Sequence, residues 1–589
     1  MSANSGTYLD QFPAEAKVIR SAFLTAFVAL GIGAFVGLLQ VFNRLDIFRI
    51  YEASELFTAG DYYSMLTLHA VLLVLTFTIF FLVAVFTWAV TTSLERGVED
   101  IRFTWVWFGL MSVGTLLAGV AIIGGLIPGV EMSAAVLYTF YAPLQPHPLF
   151  YLGLVLFIVG TWLAGVDWFR SWWAWKSENP DERIPLPTFM VLTTTLFWYL
   201  SSLGVAVSVL VFLLPWSLGI IDQVNALLTR TLFWYFGHAV VYFWLMPAYM
   251  LWYVMLPKIS GGKLFSDPLA RVVFVLFLIL STPTGIHHQY LDPGIAEGFK
   301  FIAMVNTMFL LLPSLLTAFT VVASMEHGAR QRGGSGYFGW LRALPWRDPV
   351  FAGMALAGLM FAAAGFSGMI NAGMNINYLV HNTWWVVGHF HLTIGTAVAL
   401  TFMAVSYWFV PQVTGKKLWG KGVGLAQVLI WFLGMTFMSN AMHRQGLIGV
   451  PRRTAEPEYR GFEYDVAVGS MGELNMQVAI GGTLLFVSTV LFLVVMGMTV
   501  LGSKTDDIVD NGYADTLSGP EDAPRVLDNL KLWTVIAVVL VILAYSLPLA
   551  SIISRGGLFG PGGSPSPQFI DTVVFAGQIA ADTIAEVIP

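Results

Sequence analysis

Ten histidines are the side chains in this sequence best suited to chemistry, and six of them fall within long apolar segments. These six are His69, His238, His287, His288, His389 and His391. An imidazole inside a membrane segment is costly, and it is retained where it has a function. For any single histidine, a hydrogen bond to a backbone carbonyl is an equal alternative. Because six imidazoles recur on four segments, we favour metal ligation.

The spacing of these histidines divides them between sites. His389 and His391 are two residues apart, so on a helix they point about 200° apart and can serve two cofactors on opposite faces. His287 and His288 follow a proline and a glycine that can distort the helix end, so both can face one ion. With His238 they form a three-imidazole site that suits copper, zinc or iron.

Hydroxyl groups continue from His238 along its segment. Tyr242 follows by four residues on the same helix face. Tyr249 and Tyr253 extend this row over about 16 Å at 1.5 Å per residue. A second row, on a neighbouring segment, consists of Ser314, Thr317 and Thr320. Facing hydroxyl rows suit a water-assisted proton path, although hydrogen bonding between membrane helices is an open alternative.

Two adjacent arginines, Arg452 and Arg453, lie in a loop at the depth of the histidines. They suit bidentate binding of anionic haem propionates. A solvated pair of charges is the alternative that the spacing leaves open.

The composition sets the context for these groups. The chain has 589 residues, of which 57% are hydrophobic and 11% charged, so it is neither an ordinary soluble domain nor disordered. The net charge of −6 gives no sign of nucleic-acid binding. With no cysteine, thiolate metal sites and disulfides are excluded.

Apolar runs of about 20 residues predict an all-α polytopic transmembrane bundle of about 13 spans in one domain, residues 1–589. The predicted spans are 18–42, 62–92, 103–127, 147–170, 187–214, 228–256, 269–288, 299–324, 349–372, 378–410, 423–443, 475–502 and 531–553. Most of the Lys and Arg residues fall on the side of the N-terminus, which the positive-inside rule places in the cytoplasm. A short N-terminal segment is then cytoplasmic, a tail from Gly556 is external, and all six histidines lie in the outer part of the membrane.

Five motifs give the chain a resemblance to subunit I of the haem–copper oxygen reductases, and specifically to the B family of cytochrome c oxidases. They are YYSMLTLHA (62–70), RTLFWYFGHAVVYFWLMPAY (230–249), STPTGIHHQYLDPG (281–294), LVHNTWWVVGHFHL (379–392) and VPRR (450–453).

The resemblance implies a role for each histidine. His69 and His391 would be the axial ligands of a low-spin haem of b type, and His389 would be the axial ligand of a high-spin haem of a type. His238, His287 and His288 would hold the copper ion CuB.

For the remaining groups the resemblance implies catalysis and proton transfer. Tyr242 would be cross-linked to His238 and would supply an electron and a proton when the O–O bond is cleaved. Tyr249, Tyr253, Ser314, Thr317 and Thr320 match the single proton-uptake pathway. Arg452 and Arg453 match the pair near the propionates, and His381 and Asn382 match polar residues beside the high-spin haem.

Three positions depart from the related sequences. Ala239 replaces the proline that usually follows the histidine, and Val240 stands where A-family enzymes carry a glutamate, which supports a single proton-input path. Asn377 replaces an aspartate near a propionate, so the site that holds pumped protons is in doubt.

The implied activity is that of the catalytic subunit of a proton-pumping terminal oxidase in a prokaryotic plasma membrane. It would reduce O2 to water with electrons from a cytochrome c or a blue copper protein. The expected partners are a subunit II with a CuA domain, a small single-helix subunit and membrane lipid, with no nucleic acid. A nitric oxide reductase or quinol oxidase of the same superfamily is an alternative, and a cofactor-free transporter is another. Tyr242 argues against the reductase.

Overall fold

Thirteen long apolar helices dominate the computed structural model, which describes residues 6–45, 59–454, 465–505 and 513–561. In chain order these spans are Pro13–Phe42, Asp61–Ser93, Ile101–Gly124, Pro148–Glu178, Leu186–Ser217, Ala226–Ile259, Asp267–Gln289, Glu297–Gln331, Pro349–Ala372, Trp384–Thr414, Lys421–Leu447, Gly472–Leu501 and Leu530–Gly556. The predicted number of spans and the all-α class are confirmed. Most of the predicted external tail, from residue 562, lies outside the described residues.

Contacts between loops define two ends of the bundle. At the near end, where span 1 begins, Arg332 Nε donates to Ser260 O at 2.7 Å, and so joins the end of span 8 to the end of span 6. At the far end, Asn225 Nδ2 donates to Gly557 O at 2.7 Å, joining the start of span 6 to the end of span 13. Spans 6 and 8 therefore run in the same direction, and span 13 runs in the opposite direction.

Spans 6 and 10 are the most enclosed helices. In the most apolar window of each, 89% of the residues are buried, against 22% in span 13. Because these two spans carry three of the six predicted histidine ligands, the candidate site lies at the centre of the bundle.

Within the described spans, π-helical turns occur at Val71–Phe77, Ser208–Leu213 and His391–Val398. The first follows His69 by two residues, and the third begins at His391. Such turns occur frequently at functional sites because the wider turn redirects the neighbouring side chains.

Span 10 begins later than predicted. The sequence predicts a span over 378–410, whereas the helix starts at Trp384, after a separate short helix, Met374–Val380. The two are separated because Asn382 has a left-handed backbone with φ 57° and Thr383 caps the next helix. His381 and Asn382 therefore lie in a loop at the far end, where Thr383 pairs with Pro451.

Span 7 also changes form before its histidines. Its α-helix, Asp267–Ser281, is followed by a 3-10 turn, Ile286–Gln289. The remaining short elements are the helices Tyr8–Gln11, Gly339–Ala343, Pro520–Asp522 and Arg525–Asp528, and two parallel strands, Leu264–Ser266 and Thr516–Ser518.

Candidate metal centre

One cavity of about 400 Å³ occupies the middle of the bundle towards the far end. All six predicted histidine ligands line it. The other predicted site residues on its wall are Tyr242, Ser314, His381, Asn382, Arg452 and Arg453. Groups from widely separated segments of the chain thus meet in a single space.

Three imidazoles, those of His238, His287 and His288, form a compact cluster on this wall. One ring nitrogen from each lies within 4.8 Å of the others. Two metal–nitrogen bonds of about 2.0–2.1 Å keep ligand nitrogens up to about 4 Å apart, so small side-chain adjustments suffice to bind one ion. Among the described residues, this is the only such group of three potential ligands.

Contacts with the neighbouring spans hold the rings of the two adjacent histidines. Gly285 passes so close to span 6 that a Cβ there would lie 2.3 Å from Trp234 O. The Trp234 ring stacks on His288 with centroids 3.9 Å apart and planes 9° apart. On the other side, Thr307 Oγ1 lies 3.1 Å from His287 Nδ1, and such outer hydrogen bonds fix the orientation of a ligand ring.

Tyr242 lies beside His238, with ring centroids 5.0 Å apart. Phe277 packs against the tyrosine at 5.4 Å. Nε2 of His238 is buried without a hydrogen-bond partner in the described part of the chain. This tyrosine is therefore held at the edge of the imidazole cluster, where its phenol can take part in reactions there.

His69 and His391 face each other from spans 2 and 10. Their ring centroids are 6.4 Å apart and their planes are inclined by 19°. Nδ1 of His69 donates to Gly33 O at 2.8 Å, and Nδ1 of His391 donates to Val387 O at 2.8 Å. Because a carbonyl only accepts, each Nε2 is the free lone-pair nitrogen. Two metal–nitrogen bonds of about 2.0–2.1 Å, together with the distance from each ring centroid to its Nε2, add up to about this separation. The two rings are therefore far enough apart for one metal ion to bind between them.

His389 points to the opposite side of span 10, as its two-residue offset from His391 predicts. Its Nδ1 donates to Ala364 O at 3.0 Å and lies 2.9 Å from Ser367 Oγ, so its Nε2 is also free. A Cβ at Gly368 would lie 2.8 Å from the His389 ring. Because Gly368 has no side chain, there is room for the His389 ring beside it.

At the far end, the two arginines are half-buried and hydrogen-bonded to neighbouring loops. Arg452 Nη2 donates to Asn382 Oδ1 at 2.9 Å, and Arg453 Nη2 donates to Tyr138 OH at 2.9 Å. Burial alone would raise the pKa of Tyr138, but the charges and hydrogen bonds of Arg453 and Arg452 lower it to about 8. This end of the cavity is thus strongly cationic and suited to carboxylates.

His381 lies in the same loop. Burial and the nearby charge of Arg452 lower its pKa to about 4, against the opposing effect of Asp292, so it is a neutral imidazole at pH 7. Asn377 donates to Asn371 O at 2.6 Å, and its own Oδ1 is buried without a partner among the described residues.

The two predicted hydroxyl rows contact each other directly. Tyr249 OH donates to Ser314 Oγ at 3.2 Å, and Tyr253 OH donates to Thr317 Oγ1 at 2.9 Å. Thr320 donates to Leu316 O at 2.8 Å, within its own helix. Both tyrosines are fully buried. Their contacts with span 8 therefore form a line of polar groups that follows span 6 towards the near end.

The fold and the site together define a class of protein: a multi-pass membrane protein with a three-imidazole cluster and three further histidines around one cavity. The family model described as "Cytochrome C and Quinol oxidase polypeptide I" matches residues 17–484. The chain therefore belongs to this family, the subunit I of the haem–copper oxidases, and is an integral membrane enzyme.

Individual relatives agree. Cytochrome c oxidase subunit 1 of Thermus thermophilus is 40% identical over 91% of this chain and 95% of its own length. Alternative cytochrome c oxidase subunit 1 of Bradyrhizobium diazoefficiens is 24% identical over 76% of each chain. A solved structure described as a heme-copper terminal oxidase dimer matches with a TM-score of 0.86 and 37% identity, covering 94% of this chain and 95% of that one.

The family implies haems and CuB, and the donor groups present fit both. The cavity offers imidazole nitrogens, which suit iron and copper, and cationic groups where haem carboxylates need partners. Several fitting groups escaped the sequence reasoning: Gly33, Thr307, Ser367 and Tyr138. Small or hydroxyl residues on the spans facing each histidine are the signal that could have identified the first three.

Proposed function

We propose that this chain is the catalytic subunit of a proton-pumping terminal oxidase, which joins O2, four electrons and four protons to form two water molecules. The pair His69 and His391 would hold a low-spin haem of b type, and His389 a high-spin haem of a type. His238, His287 and His288 would hold CuB. When bound, these groups supply electrons and an O2-binding metal pair.

The observation that carries this proposal is the shared cavity, because a three-imidazole cluster and three further histidines line one space. Neutral imidazoles avoid burying extra charge in the membrane. Outer hydrogen bonds, such as His389 Nδ1 to Ala364 O and the contact of Thr307 Oγ1 with His287 Nδ1, each keep a ring in one orientation and so keep the ligand atoms in place.

In this scheme Tyr242 gives a hydrogen atom, that is a proton and an electron, close to where O2 is reduced. The ring centroids of Tyr242 and His238 are 5.0 Å apart, which supports a shared role for the two rings. This role includes the covalent cross-link between them that the resemblance to related enzymes implies. Re-protonation of the phenol requires a route from one membrane side. The line from Tyr253–Thr317 to Tyr249–Ser314 suits that route. Chains of several water molecules would bridge the remaining gap, because Tyr249 and Tyr242 are about 10 Å apart along the helix.

We further propose that the near end faces the cytoplasm of a prokaryotic plasma membrane, as the Lys and Arg distribution predicts. Protons taken from that end and consumed near the far end move charge across the membrane, which stores about 2.3 kcal/mol per charge at 100 mV. Asn377 carries no carboxylate, so the groups that hold pumped protons are expected near His381 and the arginines.

Electrons must come from outside this chain, because it has no cysteine for a thiolate copper centre. We propose that a subunit II with a CuA domain delivers them from a cytochrome c or a blue copper protein. A small single-helix subunit is a further proposed partner.

The test is haem and copper analysis of the purified complex, with O2 consumption measured on reduced cytochrome c, a reduced blue copper protein and a quinol. We expect two haems and one CuB per chain, and turnover with one of the protein donors. A colourless preparation would refute the proposal, and turnover with quinol alone would refute the donor assignment.

A matched pair of variants ties the activity to the cluster. His287→Asn removes a proposed CuB ligand, whereas His147→Asn changes a histidine that caps span 4 at Leu149 N. Copper and turnover should be lost only in the first. Equal copper content in both would contradict the CuB assignment.

A further inference from the structure

The connection of span 8 to span 9 and that of span 10 to span 11 lie side by side at the near end of the bundle. Lys421 Nζ forms an ion pair with Asp348 Oδ2 at 2.8 Å, which links the starts of spans 9 and 11. We call residues 326–348 and 415–421 the near-end patch. The walls of the central cavity, as far as the structure describes them, include no residue of this patch.

The near-end patch is strongly cationic, although the whole chain carries a net charge of −6. It contains seven basic and two acidic residues, which gives it a net charge of +5. The basic residues are Arg330, Arg332, Arg342, Arg347, Lys416, Lys417 and Lys421, and the acidic residues are Glu326 and Asp348. Such a concentration of one sign of charge at one end of the bundle attracts anions.

Two arginines of the patch have charges that the described residues do not neutralise. One of the two acidic residues already pairs across the loops, as given above, and the other, Glu326, accepts from Arg330 Nε at 2.8 Å. Arg342 and Arg347 are both exposed, and in the described part of the chain neither forms an ion pair. Their guanidinium groups are therefore open to an anionic group from outside the chain.

Large aromatic side chains accompany these charges. Tyr337 is 94% exposed and Phe338 is 78% exposed. Trp346 and Trp419 are also exposed, and they lie three and two residues before the starts of spans 9 and 11. Aromatic rings at the ends of membrane-spanning helices lie at the level of the lipid headgroups. The position of these rings favours a lipid surface over a soluble protein as the partner.

A folded loop holds the exposed rings in place. Trp340 is buried and donates from Nε1 to Tyr337 O at 3.0 Å, which fixes the backbone beside the two most exposed rings. Trp346 Nε1 donates to Leu341 O at 2.7 Å, and its ring contacts that of Phe351, in the first turn of span 9, with centroids 5.3 Å apart. A preformed surface of this kind loses little conformational freedom on binding.

We propose that the near-end patch binds the headgroups of anionic phospholipids, with the lipid phosphate paired to Arg342 and Arg347 and the exposed rings packed among the headgroups. The planar guanidinium fork matches the geometry of a phosphate, and each basic residue near an anionic membrane surface strengthens its attraction. This inference uses the membrane-spanning fold and the surface of the patch, so it does not rest on the proposed oxidase function.

The test is a lipid titration of the whole detergent-solubilised complex, followed by native mass spectrometry, with phosphatidylglycerol and phosphatidylcholine of equal chain length. We expect the wild type to bind phosphatidylglycerol more tightly. The double variant Arg342→Gln/Arg347→Gln should weaken that binding about 30-fold, which is about fivefold per charge, and leave phosphatidylcholine binding unchanged. The control is Arg444→Gln/Arg555→Gln, which removes two exposed charges at the far end and should retain the wild-type preference.

A photoactivatable phosphatidylglycerol locates the site in the same complex. Its cross-links should map to peptides of the near-end patch and disappear in Arg342→Gln/Arg347→Gln. Restoring the charges with Arg342→Lys/Arg347→Lys should recover most of the labelling, because attraction to an anionic surface depends mainly on charge.

Equal wild-type affinity for the two lipids, or equal phosphatidylglycerol affinity in the near-end and far-end variants, would overturn the inference. Cross-links that map outside the patch, or a protein chain that covers it and excludes the lipid probe, would also overturn it. If the arginine variant does not assemble, Tyr337→Ser/Phe338→Ser should weaken the binding of both lipids, and unchanged binding would refute the site. O2 turnover is not part of the readout, so a failure of the proposed function would be seen separately.

Discussion

His69 and His391 face each other across the cavity with ring centroids 6.4 Å apart and planes only 19° from parallel. Both rings use Nδ1 on a backbone carbonyl, so both present Nε2 to the space between them. This separation leaves the two imidazoles too far apart to contact each other directly, and both rings would hold one haem iron if it were bound between them.

Substitution of Gly37 tests this geometry without touching a ligand. In Gly37→Ala the new Cβ would lie 2.7 Å from His69 Cε1, so the ring must shift away from its present position. Overpacking of about 1–3 kcal/mol corresponds to a roughly 5- to 150-fold weaker low-spin haem site. Reduced-minus-oxidised spectra should show the loss. Gly109→Ala, where a Cβ meets nothing within 4 Å, should leave the spectrum unchanged.

Removal of one phenol oxygen tests the role of Tyr242. Tyr242→Phe should retain haem and copper but reduce O2 turnover by about 10²–10⁴-fold, the range for loss of a positioned proton donor. Tyr235→Phe is the control, because Tyr235 donates to Leu200 O outside the cavity. Full turnover of the Tyr242 variant with normal metal content would show that the phenol takes no part in the reaction.

Thr307 should control copper retention through His287. Thr307→Val removes the hydroxyl that lies 3.1 Å from His287 Nδ1, and loss of such an outer partner weakens metal binding by about 10- to 100-fold. Copper content after dialysis against a chelator measures the effect. Thr483→Val alters a hydroxyl bonded within its own helix, to Ala479 O, and should retain wild-type copper.

A single hydroxyl in the polar line should limit proton delivery. Thr317→Val removes the acceptor of Tyr253 OH at 2.9 Å, and loss of one hydrogen bond of about 1–1.5 kcal/mol predicts about tenfold slower turnover. Haem spectra should stay normal. Thr401→Val removes the acceptor of Trp252 Nε1 on the same span 6 and serves as control. Equal turnover in the two variants would show that the hydroxyl groups on spans 6 and 8 have only a structural role.

Much of the fold follows from local sequence. The 13 apolar runs identify the spans because a helix must hide its own backbone polar groups in the membrane. The H-x-H spacing places His389 and His391 on opposite faces of one helix. The beginning of span 10 could not be located, because a left-handed residue at Asn382 and pairing with Pro451 interrupt an otherwise apolar run.

The sequence by itself determined which imidazole and hydroxyl groups are available, their positions along the apolar spans and the absence of any cysteine for a thiolate metal site. The tertiary structure alone decided which groups meet: His69 with His391 on a distant span, Thr307 with His287, and Arg44 with Trp384. Helical periodicity specifies the face on which a side chain lies, but not the neighbour of that face. That neighbour depends on how the spans pack, and close approach at glycines such as Gly37 and Gly285 sets the distances on which the chemistry depends.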